Sequence, residues 1–302
     1  MGLLPNPMTS SFAGKDAGFY ISAALKSAKS LEYLTVMENV KYKASVTRIE
    51  GASLIADQSC SFDGAGTLTL SEKIITPKAL QINVDLCKNE LISAWEANQM
   101  GSGAWNREAP DFNAYVMSYL AASISAGIET SIWSGADATG GQFEGFLTAT
   151  TGQFAVDGTV GTSTASAAYD ASNIIANLQQ LVADIPAAVY GTEDLYIYMN
   201  QKTYRFYISA ISTLGYVNAY NMNGDYAPMF EGVKLAVTNG MPDNQMVAAQ
   251  KSNLFFGTDL LSDVEVKFLD MSTLDGSDNL RVIAKYTGGV QLGVGADITH
   301  QS

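Results

Sequence analysis

The most regular feature of the sequence is a stripe of apolar residues spaced four apart. Its members are Phe112, Val116, Leu120, Ile124, Ile128 and Ile132. This spacing predicts one helix over 110–134, with a length of about 35 Å at 1.5 Å per residue. Because the stripe drifts round a helix of 3.6 residues per turn, we expect this helix to lie obliquely across its support.

Segments of period two surround this helix and predict strands. They lie near 40–46, 67–70, 80–86, 195–199, 233–237, 245–249 and 254–256, and an antiparallel pair is predicted at 264–268 and 280–286. The first two, with Asp63-Gly64 as a turn signal, predict a long two-stranded excursion that continues through the third. Further helices are predicted at about 19–35, 88–99, 170–185 and 200–214. The fold class predicted from this mixture is α+β.

Charge is scarce and unevenly distributed. Charged residues make up 16% of the 302 residues, against roughly 25% in typical soluble proteins. The net charge is −13, which argues against a protein that wraps nucleic acid with a basic surface. Residues 108–201 contain no Lys or Arg but ten acidic residues. This segment therefore has no side chain with which to attract phosphate.

The sequence contains no recognisable catalytic, cofactor or metal motif. His300 is the one histidine, and Cys60 and Cys87 are too far apart for a zinc or redox pair. A phosphate-binding loop and a nucleophile elbow are missing, and Gly288 to Gly295 follow a strand without opening a helix. Asp275 to Asn279 reads as a turn rather than a calcium loop. We expect no enzyme activity, no cofactor and no metal.

The first residues, Met1-Gly2-Leu3-Leu4-Pro5-Asn6, lack the basic and apolar regions of a signal peptide. The chain also has no uncharged apolar run of 18 residues, so no membrane-spanning segment is predicted.

Four short motifs, taken in order, resemble the major capsid proteins of tailed bacteriophages with the Hong-Kong-97-type fold. They are Trp133-Ser134-Gly135 with Gly145-Phe146-Leu147; Leu195 to Asn200 leading into a helix; Phe230 to Leu235 with Gly240-Met241-Pro242; and Leu254 to Asp259 with the closing Asp297-Ile298. The motifs lie between Trp133 and Ile298, and the resemblance in the order of elements covers nearly the whole chain.

The resemblance implies a division of the chain into four parts. It implies an N-terminal arm at 1–38, an extended β-loop at 39–82, and an axial domain at 168–260. The peripheral domain would comprise 83–167 and 261–302, with 110–134 as its spine helix.

The implied function is a shell protein that self-assembles around double-stranded DNA. Its implied partners are further copies of itself as hexamers and pentamers, a separate scaffolding protein, a portal and a decoration protein, with packaged DNA contacted non-specifically. It would assemble in the host bacterial cytoplasm and reside in the virion. Candidate intersubunit contacts on the extended loop are Asp63, Leu68, Leu70, Glu72 and Lys73.

Two alternatives remain open at this point. One keeps the fold but changes its use, as the shell of an encapsulin-like bacterial nanocompartment without DNA. The other is a secreted β-rich hydrolase or adhesin, which would be a monomer or a small oligomer and which the lack of a signal peptide disfavours.

Some members of this family form a covalent cross-link through a Lys near the tip of the extended loop. Here residues 49–72 contain no Lys, so we predict that no such isopeptide bond forms. Denaturing gels of the assembled protein are expected to show one band at the mass of the single chain. A ladder of covalent oligomers would contradict this prediction.

Overall fold

The computed structural model describes residues 11–12, 28–52, 55, 57–58, 60, 66–87, 112–165, 167–213, 228–259, 266–273, 276–277 and 279–302. The predicted turn at Asp63, the predicted helix at 88–99 and most of the predicted N-terminal arm lie outside these residues. The α-helices of the described part are α1 (Phe112–Ser134), α2 (Gln153–Asp157), α3 (Ile174–Ala183) and α4 (Gln201–Thr213).

The strands of the described part pair into three sheets. They are β1 (Ser11–Phe12), β2 (Thr35–Met37), β3 (Ala44–Ala52), β4 (Thr67–Ile75), β5 (Lys78–Cys87), β6 (Gly161–Ser163), β7 (Leu195–Asn200), β8 (Met229–Phe230), β9 (Val233–Thr238), β10 (Met246–Gln250), β11 (Leu254–Gly257), β12 (Val266–Asp270), β13 (Asn279–Leu292) and β14 (Thr299–Gln301).

Helix α1 confirms the helix predicted from the four-residue stripe. Leu120, Ile124, Ile128 and Ile132 are buried along its length. Ile124, Ile128 and Ile132 pack in one core with Leu80 of β5 and Tyr286 of β13. These three residues therefore lie on the side of α1 that faces the first sheet.

The first sheet has β13 at its centre. Strand β13 pairs antiparallel with β5 over ten residues and with β12 and β11 over successive parts of its length. The antiparallel pair of β12 and β13 confirms the pair predicted near 264–286. Strand β2 extends the sheet by pairing parallel with β11, and β1 pairs antiparallel with β12.

The second sheet has the strand order β6-β14-β10-β7-β9-β8 and is covered on both faces. On one face, Ile197, Met199 and Leu235 pack with helices α3 and α4 in a core of their own. On the other face, Tyr198, Val247 and Ala249 join the core of α1. The two sheets thus share one hydrophobic core across the end of α1.

The helices beside this sheet begin where the sequence predicts. The Asn200 side chain accepts a hydrogen bond of 2.7 Å from the backbone N–H of Thr203, which caps the start of α4. Asp170 accepts from the backbone N–H groups of Ser172 and Asn173 just before α3. Helix α3 ends before Pro186, which cannot continue it.

The segment 40–86 differs from the single excursion predicted for it. Strands β3 and β4 form a separate two-stranded sheet in which Ala44 is opposite Ile75 and Ala52 is opposite Thr67. Strand β5 instead pairs with β13 in the first sheet. The two-stranded hairpin therefore ends at Ile75. The alternating residues of β5 suit a half-buried strand that packs over α1.

The helix predicted over 19–35 is also different where it is described. Residues Lys29–Tyr33 form a short 3-10 helix, and Thr35–Met37 form β2. The parallel pairing of β2 with β11 supplies backbone partners that a helix through 35 would forgo.

A buried glutamate joins three separate parts of the chain. Glu129 is 5% exposed on α1. Its carboxyl oxygens accept hydrogen bonds from the backbone N–H and the hydroxyl of Ser30 at 3.0 and 2.7 Å. They also accept from the backbone N–H groups of Asn239 and Gly240 at 2.9 and 3.2 Å. The Ser30 hydroxyl in turn accepts from the indole N–H of Trp133. We call these five residues the Glu129 cluster.

Gly240 is required for this arrangement. A Cβ atom at position 240 would lie 1.9 Å from the backbone oxygen of Glu129. Only glycine therefore lets the 239–241 loop approach the backbone of α1 closely enough for its N–H groups to reach the carboxyl group.

We predict that Glu129→Ala strongly destabilises the protein, because it leaves the two buried donors of Ser30 and the part-buried N–H groups of Asn239 and Gly240 without their acceptor. The expected loss in the free energy of unfolding is about 3–5 kcal/mol, measured by urea denaturation. Thr130→Ala is the control: Thr130 is exposed and its hydroxyl bonds only within α1, so we expect a change within about 0.5 kcal/mol. A loss below about 1 kcal/mol for Glu129→Ala would show that the cluster is dispensable.

A second prediction concerns His300 on β14, whose buried Nε2 has no hydrogen-bond partner among the described residues. Burial lowers the pKa of His300 from 6.5 to about 4. The unfolded chain therefore binds this proton more readily than the folded chain. The contribution of neutral His300 to the free energy of unfolding is fully present above pH 6.5. It is lost as the pH decreases towards 4, by up to about 3 kcal/mol.

Urea midpoints of the wild type and of His300→Gln, measured from pH 7.5 to 4, test this dependence. The wild type should lose more stability than the variant over that range. Parallel curves for the two proteins would rule out His300 as the source of the acid sensitivity.

Candidate intersubunit surface

The hairpin of β3 and β4 has two unlike faces. Residues directly opposite each other in an antiparallel pair lie on the same face, and alternate residues share a face. One face thus carries the pairs Ile49–Leu70, Gly51–Leu68, Thr47–Glu72 and Ser45–Ile74. The opposite face carries the pairs Arg48–Ser71, Val46–Lys73 and Ala44–Ile75.

The first of these faces exposes an apolar stripe. Ile49 is 66% exposed, Leu68 is 67%, Leu70 is 72% and Ile74 is 44%. Scattered exposed apolar residues are ordinary, but here Ile49, Leu68 and Leu70 adjoin on one face, with Ile74 beyond the Thr47–Glu72 pair. Such a group on an exposed hairpin marks an interaction surface. A two-stranded hairpin alone is also marginally stable in water, so this face gains from being covered. We call these four residues the hairpin stripe.

The predicted contact residues fall at three places. Leu68 and Leu70 are members of the hairpin stripe, and Glu72 is exposed on the same face. Lys73 lies on the opposite face. Asp63 lies outside the described residues.

Ile49 and Ile74 belong to the stripe although the sequence analysis did not select them. Ile49 falls at an odd position, whereas Ala44 and Val46 indicate an apolar face at even positions. Only the register, which places Ile49 opposite Leu70, shows that these residues form one row.

The base of the hairpin is fixed by apolar packing. Ile75 is fully buried, and a Cβ atom on Gly257 of β11 would lie 2.8 Å from its Cγ2. The side chain of Gln291 on β13 donates a hydrogen bond of 3.1 Å to the Ile74 carbonyl. Ile75 therefore marks the point at which the hairpin leaves the body of the protein.

Two lysines bind this base to the acidic segment 108–201. Lys73 forms an ion pair with Asp157 at the end of α2, and Lys78 pairs with Asp137 at 2.8 Å. Because the acidic segment has no basic residue, these positive charges come from outside it. We call the two ion pairs the lysine clamp.

The environment of Asp157 favours its charged form. Burial of this carboxyl group by itself raises its pKa, but the ion pair with Lys73 and the hydrogen bonds from Thr159 outweigh that effect. The pKa of Asp157 therefore lies below its ordinary value. Lys73 thus faces a carboxylate over the whole neutral range.

A cleft of about 540 Å³ lies beside the hairpin base. Its lining includes Ile74 of the hairpin, Pro77, Lys78 of β5, Asp137 and Phe143. The Lys78–Asp137 pair thus borders the cleft.

Within the described residues, no group of three or more His, Cys, Asp or Glu side chains could hold a metal ion. The helices of this part of the chain include none that is long and apolar enough to cross a membrane. Gly288 and Gly289 lie within β13, against Phe143 and Pro77, and not after a strand as the sequence analysis placed them.

Comparison with known proteins finds the resemblance in structure and not in sequence. No family model matches the chain, and no curated protein matches it. The capsid of an empty GTA particle superposes with a TM-score of 0.60 at 14% identity, covering 100% of this chain and 94% of that one.

Two other solved structures are similar over nearly their whole length. The capsid of Myoviridae phage XM1 has a TM-score of 0.55 at 14% identity, covering 100% of this chain and 96% of that chain. A virus-like particle from Pyrococcus furiosus has a TM-score of 0.56 at 10% identity, covering 94% of this chain and 98% of that chain. Together with the long helix, the two sheets and the projecting hairpin, these comparisons show that the chain has the Hong-Kong-97-type fold of tailed-phage capsids.

Proposed function

We propose that the protein is the major capsid protein of a tailed phage, which self-assembles into an icosahedral shell around double-stranded DNA. The observation that carries this proposal is the hairpin stripe on a fold that builds capsids in its structural neighbours. A projecting apolar row on such a fold has a natural cover in an adjacent copy of the same chain.

The energetics of the hairpin stripe support this role. Covering an aliphatic side chain contributes about 1.5–3 kcal/mol when burial is complete. Each stripe side chain contributes in proportion to its exposed fraction, and the contribution recurs at every subunit contact of a shell. The low content of charged residues agrees with a surface that is largely covered in an assembly, because interface cores are depleted of charge.

The charge distribution agrees with a shell around DNA. In the acidic segment, Asp137, Asp170, Asp184 and Glu193 are exposed. A wall with this charge repels phosphate and does not hold packaged DNA tightly. Contacts with DNA would then be non-specific.

The finer organisation follows from the same proposal. The subunits would form hexamers and pentamers, with a portal, a separate scaffolding protein and a decoration protein as further partners. The four-part division of the chain belongs to this proposal, with an arm at 1–38, an extended loop from 39, a peripheral domain that includes 83–167 and 261–302, and an axial domain at 168–260. The predicted end of the loop at 82 moves back to Ile75, because β5 pairs with β13. Assembly in the bacterial cytoplasm and residence in the virion also belong to this proposal.

Electron microscopy of native particles tests the proposal directly. Closed shells tens of nanometres across, with an absorbance at 260 nm that shows packaged DNA, are the expected result. Shells without nucleic acid and with an enclosed enzyme would favour the nanocompartment alternative. A monomer of 32 kDa under every condition would refute both.

The double variant Leu68→Ser/Leu70→Ser tests the hairpin stripe itself. Both side chains are exposed in the single chain, so the variant should change the free energy of unfolding by less than about 1 kcal/mol. We expect the yield of closed shells to fall at least about tenfold, since two apolar contacts are lost at each interface.

Val156→Ser is the matched control for this variant. Val156 is 69% exposed but lies on α2, outside the hairpin. Shell yield for the control should equal that of the wild type. A double variant that assembles as well as the control would remove the stripe from the interface.

A further inference from the structure

The lysine clamp lies near the base of the hairpin, so a small displacement there becomes a large one at the far end of the hairpin. Lys73 is two residues from Ile75, where the hairpin leaves the body, and this separation is about 7 Å along a strand. Thr67, at the far end of β4, is about 26 Å from the same point. A displacement of Lys73 by about 2 Å therefore corresponds to about 8 Å at Thr67.

Asp157 is held in place independently of the hairpin. Its Oδ1 accepts hydrogen bonds from the backbone N–H and the hydroxyl of Thr159. A Cβ atom on Gly295 would collide with this oxygen at 1.8 Å, so the missing side chain leaves the room that the carboxyl group occupies. The carboxylate is thus fixed to the body, and Lys73 is the partner that moves with the hairpin.

The two ion pairs of the clamp differ in their exposure to solvent. The side chains of Lys73 and Asp157 are 27% and 10% exposed, whereas those of Lys78 and Asp137 are 33% and 67% exposed. Salt and water screen the second pair more strongly. The Lys73–Asp157 pair is therefore the stronger constraint on the hairpin.

The cleft leaves space for the base of the hairpin to move. Ile74 of the hairpin borders the cleft, so a tilt of the hairpin towards it meets open volume rather than packed core. Ile75 is packed against Gly257 and would serve as the pivot of such a tilt.

From these contacts we infer that the lysine clamp sets the angle at which the hairpin leaves the body, and that opening of the Lys73–Asp157 pair releases the hairpin to other angles. The role that we assign to this opening in shell assembly rests on the proposed function. A shell built from hexamers and pentamers presents each hairpin with neighbours at unequal angles, and a clamp that opens lets one chain reach them all.

Spin labels on the unassembled chain measure this angle. One label is placed on Cys87 of β5, in the body, and the other on Leu68→Cys in a Cys60→Ala background. Electron–electron resonance then gives the distribution of distances between them. The native pair Cys60 and Cys87 provides a second measurement without added cysteines.

Two variants open the clamp with little change of shape. Asp157→Asn keeps an oxygen that can accept from Thr159, and Lys73→Met keeps the apolar stem of the lysine. Each should broaden or shift the distance distribution by about 8 Å, in line with a displacement of about 2 Å at residue 73. The double variant should add nothing further, because both changes remove the same contact.

Lys202→Met is the control, since Lys202 forms an exposed ion pair with Asp243 far along the chain from the hairpin. Its distribution should match that of the wild type. If Asp157→Asn and Lys73→Met also match the wild type, or if their effects add in the double variant, the clamp does not set the angle.

The labelled chain reports the hairpin angle whether or not shells form, so its result does not depend on the proposed function. A second measurement addresses the purpose of the clamp. If the wild type forms closed shells, Asp157→Asn should give a spread of diameters at least twice as wide in electron micrographs. An unchanged spread of diameters together with a broadened distance distribution would show that the clamp sets the hairpin angle but has no role in shell geometry.

Discussion

The Glu129 carboxyl group is the contact on which the rest of the structure depends. It lies on the long helix and accepts hydrogen bonds from the segment that precedes β2 and from the loop that follows β9. These segments are 99 and 110 residues away along the chain. A buried acceptor with four donors holds them in one geometry, because any displacement leaves a buried polar group unpaired. The two sheets are thereby held on opposite sides of one core.

The hairpin follows the opposite principle. Its base is buried and ion-paired, whereas its outer part carries apolar side chains that the described residues leave exposed. Covering the hairpin stripe with another surface removes apolar area from water and is therefore stabilising. Under the proposed function, the hairpin links the fold of one chain to the assembly of a shell.

Local patterns predicted the elements more reliably than their partners. The apolar residues spaced four apart predicted α1, and alternation predicted β7, β9, β12 and β13, because both periods are set within a few residues. The same alternation assigned the strand at 78–87 to the hairpin, although it pairs with β13. It also left Ile49 outside the apolar face. Strand pairing depends on residues far along the chain, and the sequence of one strand does not show which strand it pairs with. Glu129 was missed too, although it is the single charged residue among the 23 of α1.

Local sequence patterns were enough to predict the long helix and most of the strands. They also revealed the acidic segment without basic residues and the resemblance of the ordered motifs to tailed-phage capsid proteins. Each of these is a property of neighbouring residues or of composition. The tertiary structure decided where the acidic segment receives its positive charges, which face of the hairpin is apolar, and how a single carboxyl group joins three distant segments. These features arise only when the register and the packing bring distant residues within hydrogen-bonding distance, which is why local periodicity could not reveal them.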